Sequence, residues 1–369
     1  MTEPLPPTPA SRALAAPAPA LDQPAPAAQA APPVLIAGAG AIGSTLAARL
    51  AAGGAAVDLL ARGATLATLR EQGLQLDDLD GHWRAPLRAV AGAGECRVPD
   101  VVFLCSKAQD LPALAEQVRP VIAPHTLIVP LVNGVPFWYF HREGGRFDGE
   151  RVRAVDPAGR LAAALPFDQV IGAVTFVTAE LTAPGRVRSR TPHLLMLGEP
   201  GGGVSERLQR LCALLAGAGI EARPLERLRD KLWTKLIANL TSNPLSVLTG
   251  ATLEAIYTQP VLLDTVRAVM HEVMLTAAAY GARLEIDPIE FIRLGAGMGG
   301  VRTSMLQDFE RGRPLELAAI GDAVVELAER FALPMPATRR LLEQTRWHAA
   351  HPDWRLDRPL TSDRADRAA

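Results

Sequence analysis

Cysteine is scarce in this chain: its 369 residues include three, Cys96, Cys105 and Cys212. They form no clustered set of metal ligands and no disulfide framework. A reduced, cytoplasmic protein without a metal site is therefore expected. An excess of charge is missing too. With 38 Lys and Arg against 39 Asp and Glu, the net charge is -1, which gives no electrostatic reason to expect nucleic acid as a partner. No run of about 18 strongly apolar residues occurs, so a membrane span is not expected. No periodic repeat is present either.

What is there begins with an Ala/Pro-dense stretch over residues 1–32, MTEPLPPTPASRALAAPAPALDQPAPAAQAAP. It has too little large apolar surface to offset its ordering entropy, so a disordered tail is expected. It lacks the basic start and apolar run of a secretory signal. A charged C-terminal segment, 351–369, is expected to be a flexible tail outside the fold. The remaining length suffices for two domains.

Residues 34–37 read as a buried strand and 42–52 as a helix. Between them GAGAIG places Gly38, Gly40 and Gly43 in the G-x-G-x-x-G spacing, with Ala41 and Ile42 inside it. At a strand-to-helix junction this is a dinucleotide-binding loop: glycines allow a tight turn and close approach of backbone to pyrophosphate, and the helix N-terminus offers free N–H groups. The next strand, 55–61, ends at Arg62. Asp58 falls inside that strand, whereas Arg62 stands at its carboxyl end, where a guanidinium meets the additional phosphate of NADP. NADPH/NADP is therefore the expected cofactor. Two further apolar strands, VVFLCSK and TLIVPLVNG, end in Lys107 and near Asn133, both placed as cofactor contacts. The same sheet is expected to continue through QVIGAVTFVTAEL and HLLMLGEP, with GRVRS as a hairpin element and a helix over 205–216.

From about residue 227 the pattern becomes helical, with segments over 229–242, 257–281, 287–295, 301–309, 314–331 and 337–347. Pro244 is expected to end the first of these. The predicted fold class is α/β: an N-terminal Rossmann-like dinucleotide-binding domain (33–226) followed by an all-helical substrate domain (227–350), with the site in their cleft. KLWTKLIANLTSNP carries Lys235, Asn239 and Asn243 four residues apart, in one line among core side chains. Lys235, with an unperturbed pKa of about 10.4, is expected to be protonated at neutral pH. TSMLQDFERGRPLELAAIG, carrying Ser304, Asp308 and Glu316, is the candidate partner region.

In the order GAGAIG, LLAR, SKA, VNG, LWTKLIANLTSNPL, SMLQD and PLE, the chain resembles the ketopantoate reductases (2-dehydropantoate 2-reductases) over residues 34–350. The resemblance implies hydride reduction of a small-molecule 2-oxo acid to a 2-hydroxy acid. It makes Lys235 the catalytic acid and Glu316 a substrate-holding and catalytic carboxylate. Asn133, Asn239, Asn243 and Ser304 fall at substrate positions, and Gly38, Gly40, Gly43, Arg62, Lys107 and Asn133 fall on the NADP side. The chain departs from the family where Leu253 and Val301 stand for asparagines and Leu317-Ala318 for an isoleucine–aspartate pair. Such losses of hydrogen-bonding groups bear on discrimination among polar substrates. Ketopantoate is the expected substrate, with another branched or more apolar 2-oxo acid as the alternative. A non-catalytic NADP-binding sensor and another two-domain dehydrogenase remain as rival functions. The long apolar helices permit a homodimer.

Overall fold

A computed structural model describes residues 31–285 and 287–352. The expected tails lie outside the described residues, up to residue 30 and from residue 353. The described residues from Pro32 onward belong to one compact unit.

The chain opens with β1 (Pro33–Ala37), α1 (Ala41–Ala52), β2 (Ala56–Leu60), α2 (Gly63–Gln72), β3 (Leu74–Asp78), β4 (Gly81–Ala85) and β5 (Arg88–Val90). It continues through β6 (Val101–Leu104), α3 (Leu111–Val118), β7 (Leu127–Pro130), α4 (Arg160–Ala164), β8 (Gly172–Phe176) and β9 (Ala179–Ala183). Then come β10 (Arg186–Ser189), β11 (Leu194–Gly198), α5 (Glu206–Gly217) and β12 (Glu221–Pro224). The main sheet is parallel throughout, in the order β5-β2-β1-β6-β7. Its runs VLIA, VVFL and IVP are buried, as strands covered on both faces must be. Strand order reverses between β1 and β6, and the crevice outside their carboxyl ends is where such sheets take ligands.

The main sheet does not continue as expected from the sequence. Beyond β7 the link is an isolated bridge, Ile128 to Val170, where the Ile171 amide donates to the Ile128 carbonyl at 2.9 Å. Two residues on, the backbone nitrogen facing the same side belongs to Pro130, which has no N–H to extend the ladder. β8 instead joins β11 and β12 in a three-stranded sheet. β9 leaves for a four-stranded sheet ordered β4-β3-β10-β9, in which β9 and β10 form the hairpin that contains GRVRS.

Among the described residues no strand follows Pro224. The helices are α6 (Leu228–Thr249), α7 (Leu253–Thr258), α8 (Pro260–Ala279), α9 (Pro288–Ala296), α10 (Ser304–Glu310), α11 (Ala323–Glu329) and α12 (Pro336–Ala350), with a π turn at Ala318–Asp322 ahead of α11. The expected 257–281 helix is divided, because Pro260 starts α8 rather than continuing α7.

Pro244 does not stop α6, contrary to expectation. A proline inside a helix costs ~3 kcal/mol. Against that, Leu240, Thr241, Leu245, Ser246 and Val247 around it are all buried, and each large apolar side chain buried contributes about 1.5–3 kcal/mol. Packing wins. The hydroxyls of Thr241 and Ser242 donate to the carbonyls of Ile237 and Ala238, giving these buried polar groups partners within the helix itself. α6 packs against α8, α10 and α12, and its apolar face shares one continuous core with Leu35, Val102 and Leu104 of the main sheet. Aromatic residues are only 5% of the chain, yet Tyr139, Phe140, Phe147, Trp233, Tyr280 and Phe331 meet in one cluster. It binds the segment after β7 onto the helices.

Candidate active site

The site is built from the turn after β1. Gly38 has φ +115°, and a Cβ there would lie 2.5 Å from the Cys105 carbonyl oxygen. A Cβ on Gly43 would lie 2.0 Å from the Gly38 carbonyl oxygen. These two glycines are demanded by the protein's own packing. Gly40 is different: a Cβ there would meet nothing nearer than 3.9 Å. Gly40 is also the N-cap of α1 and supplies no side-chain acceptor to the first turn, which runs through Ala41 and Ile42. The helix N–H groups therefore face the crevice without a side-chain partner, the arrangement that holds phosphate.

Two other groups of the crevice are also free. The Ser106 hydroxyl, directly after β6 and beside the glycine turn, is buried without a hydrogen-bond partner. Arg62, at the exit of β2, is exposed and unpaired. Asp58 is fully engaged: its carboxylate binds the guanidiniums of Arg88 and Arg97 and accepts the Arg97 amide at 2.8 Å. Burial alone would raise its pKa, but these donors outweigh it and the net shift is downward. The residues present fit a dinucleotide.

Across the crevice, Lys107 joins the two parts of the molecule. Its Nζ lies 2.5 Å from Asp308 Oδ2 and 3.2 Å from Glu316 Oε2. Both carboxylates are buried. The Ala108 amide donates to Glu316 Oε1 at 3.0 Å. Burial pulls the Lys107 pKa down, but Glu316 and Asp308 outweigh it and the pKa ends above its ordinary value.

Lys235 has the opposite surroundings. Half-buried on α6, it donates to the Thr175 carbonyl at 2.5 Å and lies 5.5 Å from the Phe176 ring centroid. Burial lowers its pKa to about 8, with the Glu316 carboxylate opposing the fall only in part. Desolvation is the cause of this shift from the ordinary lysine value, and a pKa of about 8 leaves the group mostly protonated at neutral pH. One turn on, the Asn239 amide nitrogen is buried without a partner. Asn243 is buried, and its carbonyl accepts from Ser246, whose hydroxyl also meets Thr303 at 2.6 Å. Thr303 caps α10 by accepting from the Leu306 amide, which fixes the neighbouring exposed Ser304.

Asn133 lies in a turn pressed onto the helical part. A Cβ on Gly134 would sit 2.4 Å from the Ala319 backbone, and the Val135 amide donates to the Ala319 carbonyl at 2.8 Å. The structure thus brings Lys107 and Glu316 into contact, sets Lys235 within the field of Glu316, and ties Asn243 to the Ser304 end of α10. Arg62 contacts none of these. The Lys107–Asp308 pair, the Ser106 hydroxyl and the Thr175 carbonyl were not among the expected site groups. A lone hydroxyl at an apolar strand exit could have flagged Ser106; a backbone carbonyl leaves no mark in a sequence. Leu253 and Val301 prove to be neighbours, the Leu253 amide donating to the Val301 carbonyl at 2.9 Å.

Two family models match the chain, "Ketopantoate reductase PanE/ApbA" over residues 34–202 and its C-terminal counterpart over 227–348. A 2-dehydropantoate 2-reductase from Mesorhizobium japonicum is 39% identical over 85% of this chain and 96% of its own. The chain belongs to the ketopantoate reductase family. A Ralstonia solanacearum MolK2 protein assigned as a ketopantoate reductase has a crystal structure that superposes with a TM-score of 0.83 at 39% identity, covering 87% of this chain and 98% of its own. A D-mandelate dehydrogenase, solved with NADH and anilino(oxo)acetate, shares the fold at 21% identity and a TM-score of 0.74, covering 86% and 98% of the two chains. Membership of the ketopantoate reductases makes the protein an oxidoreductase of the NAD(P)H-dependent 2-oxo-acid type. Among the described residues, no group of three or more His, Cys, Asp or Glu could hold a metal, and no helix is long and apolar enough to cross a membrane.

Proposed function

We propose that the protein reduces 2-dehydropantoate (ketopantoate) to pantoate with NADPH. The observation that carries this reading is Lys235. It is an ammonium whose partners in the fold are a neutral carbonyl and a ring face, set near a buried carboxylate at the nucleotide crevice. Gly38, Gly40, Gly43, Ala41 and Ile42 hold the pyrophosphate of the dinucleotide, with Lys107 and Asn133 further along the crevice. When bound, NADPH supplies the hydride that reduces the substrate carbonyl carbon.

Lys235 leaves the Thr175 carbonyl, donates to the substrate carbonyl oxygen, and gives it the proton as negative charge develops there. A pKa of about 8 keeps most of this lysine charged at neutral pH while making its proton easier to release. The free Asn239 amide, Asn243 and Ser304 are neutral donors for the rest of the substrate. Glu316, fixed by Lys107 and Ala108, orients the substrate hydroxyl. NADPH is preferred over NADH because Arg62 is free and Asp58 is not. In Arg62→Ala, NADPH affinity falls toward that for NADH in paired titrations. An unchanged preference removes Arg62 from this role.

A second reading rests on Leu253 and Val301. Two apolar residues, joined through their backbones, stand in place of hydrogen-bonding side chains near the Ser304 end of α10, which favours a branched or more apolar 2-oxo acid. In the D-mandelate dehydrogenase of the same fold, the bound 2-oxo acid carries an anilino group. Steady-state NADPH oxidation with ketopantoate, 2-oxo-3-methylbutanoate and phenylglyoxylate separates the two by kcat/KM. Tight NADPH binding with no turnover of any 2-oxo acid would sink the reductase assignment and favour the sensor.

A further inference from the structure

A cavity of about 650 Å3, lined by none of the residues assigned above, lies between the segment that follows the Asn133 turn and α11. Phe147 forms part of its lining, with Glu150, Arg151 and Arg153 on one side and Glu326, Glu329 and Arg330 on the other. Its size is that of a small-molecule site. The charges lining it are not evenly spent. Arg330 is committed three ways: it contacts Glu150, donates to the Arg151 carbonyl at 2.9 Å, and meets Glu326 at 3.0 Å. Its remaining Nε is buried without a partner, and its guanidinium covers the Phe140 and Phe147 rings.

The carboxylates are all engaged as well. Glu326 additionally accepts the amides of Arg153 and Ala154, at 3.0 and 2.7 Å, and Glu329 pairs with Arg339 at 2.5 Å. What remains are the side chains of Arg151 and Arg153, which make no ion pair or hydrogen bond. Exposed arginines are ordinary on a protein surface. These two differ in lining a concave wall, two residues apart, where each carboxylate is already neutralised by a cation or held by amides. The wall therefore offers two unspent guanidiniums, in a chain whose net charge is -1.

We infer that this cavity is a second ligand site, for a small dianion such as a phosphate monoester or a dicarboxylate, gripped by Arg151 and Arg153. Guanidinium forks match both chemistries in paired hydrogen bonds. Phe147 offers apolar surface to the rest of such a molecule. α11 follows directly on the π turn that carries Ala319 against Gly134, so the cavity lies one element away from the Asn133 turn.

The test is calorimetric titration of the full chain, saturated with NADP+ to fill the dinucleotide crevice. Inorganic phosphate is the probe in one arm and malonate in the other. At least one probe binds the wild type, and the Arg151→Ala/Arg153→Ala variant weakens that binding tenfold or more with NADPH affinity unchanged. The arm that responds identifies the anion class. Binding of equal strength in the variant, or no binding of either probe to the wild type, overturns the proposal. Neither arginine side chain makes a hydrogen bond or an ion pair, although the Arg151 guanidinium lies against Gly159, and unchanged NADPH affinity and melting temperature verify that the variant keeps its structure.

Discussion

Lys107 and Lys235 reach the same crevice from opposite sides, one from the sheet and one from the helices. Burial weakens the charge of both, but two buried carboxylates answer it at Lys107, and a carbonyl and a ring face are all that meet Lys235 directly. One pKa ends above its ordinary value and the other near 8. Identical side chains thus become a strut and, in the function proposed, a proton donor, and the partners decide which. A lysine that is fully paired is stable where it stands. One that is left short of partners is ready to react.

The sharpest break in this comparison is Lys235→Ala. A positioned general acid contributes about 10²–10⁴-fold, so kcat should fall by ~10³ while NADPH affinity, read by fluorescence titration, stays the same. Near-wild-type kcat in that variant would remove the proposed acid. In the wild type, log kcat/KM should be level below pH 8 and fall above it, because the donor loses its proton as pH rises through about 8. A limb that starts only near the ordinary lysine value would mean that burial does not govern this group.

Lys107→Met is expected to act on stability, since it leaves buried Asp308 with the longer Arg313 contact at 3.7 Å and buried Glu316 with the Ala108 amide. Breaking a fully buried pair costs about 3–5 kcal/mol; with the lysine partly exposed, a loss of ~2 kcal/mol is expected in denaturant melts. The raised pKa sets the sign of the pH dependence. The pair's contribution is complete below 10.5 and disappears as pH rises through the folded-state value above it.

The smallest effect has the opposite sign. Lys235→Met should stabilise the protein by about 1–2 kcal/mol at pH 7, because the native state no longer holds a poorly solvated ammonium. The depressed pKa makes that gain complete below about 8 and nil above 10.5, as the unfolded chain also loses its proton. A destabilised Lys235→Met would show that the Thr175 hydrogen bond outweighs desolvation.

The parallel strands and the glycine turn were legible in the sequence because backbone geometry imposes them. Gly38 and Gly43 have no space for a side chain, and an apolar run such as VVFL fits a doubly covered strand. The line of Lys235, Asn239 and Asn243 was legible by period. Pro244 misled because a local penalty was outweighed by the packing of a 22-residue helix, which no window around the proline contains. The partition of Glu316 was equally hidden. Its hydrogen bonds go to Lys107 and Ala108, more than 200 residues away in the chain, and only the closed fold brings them together.

The π turn at Ala318–Asp322 carries one residue more than the α turns it interrupts, and so works as a phase shifter between Glu316 and α11. Were the same residues wound as ordinary α turns, the additional residue would rotate everything upstream by about 100° around the axis. Leu317 would turn toward the place Glu316 now holds, and the carboxylate would swing away from Lys107 and Ala108 with its own chemistry untouched. The aim of Glu316 is set by the winding of this turn, so a change that spares every candidate site residue would still misdirect the carboxylate.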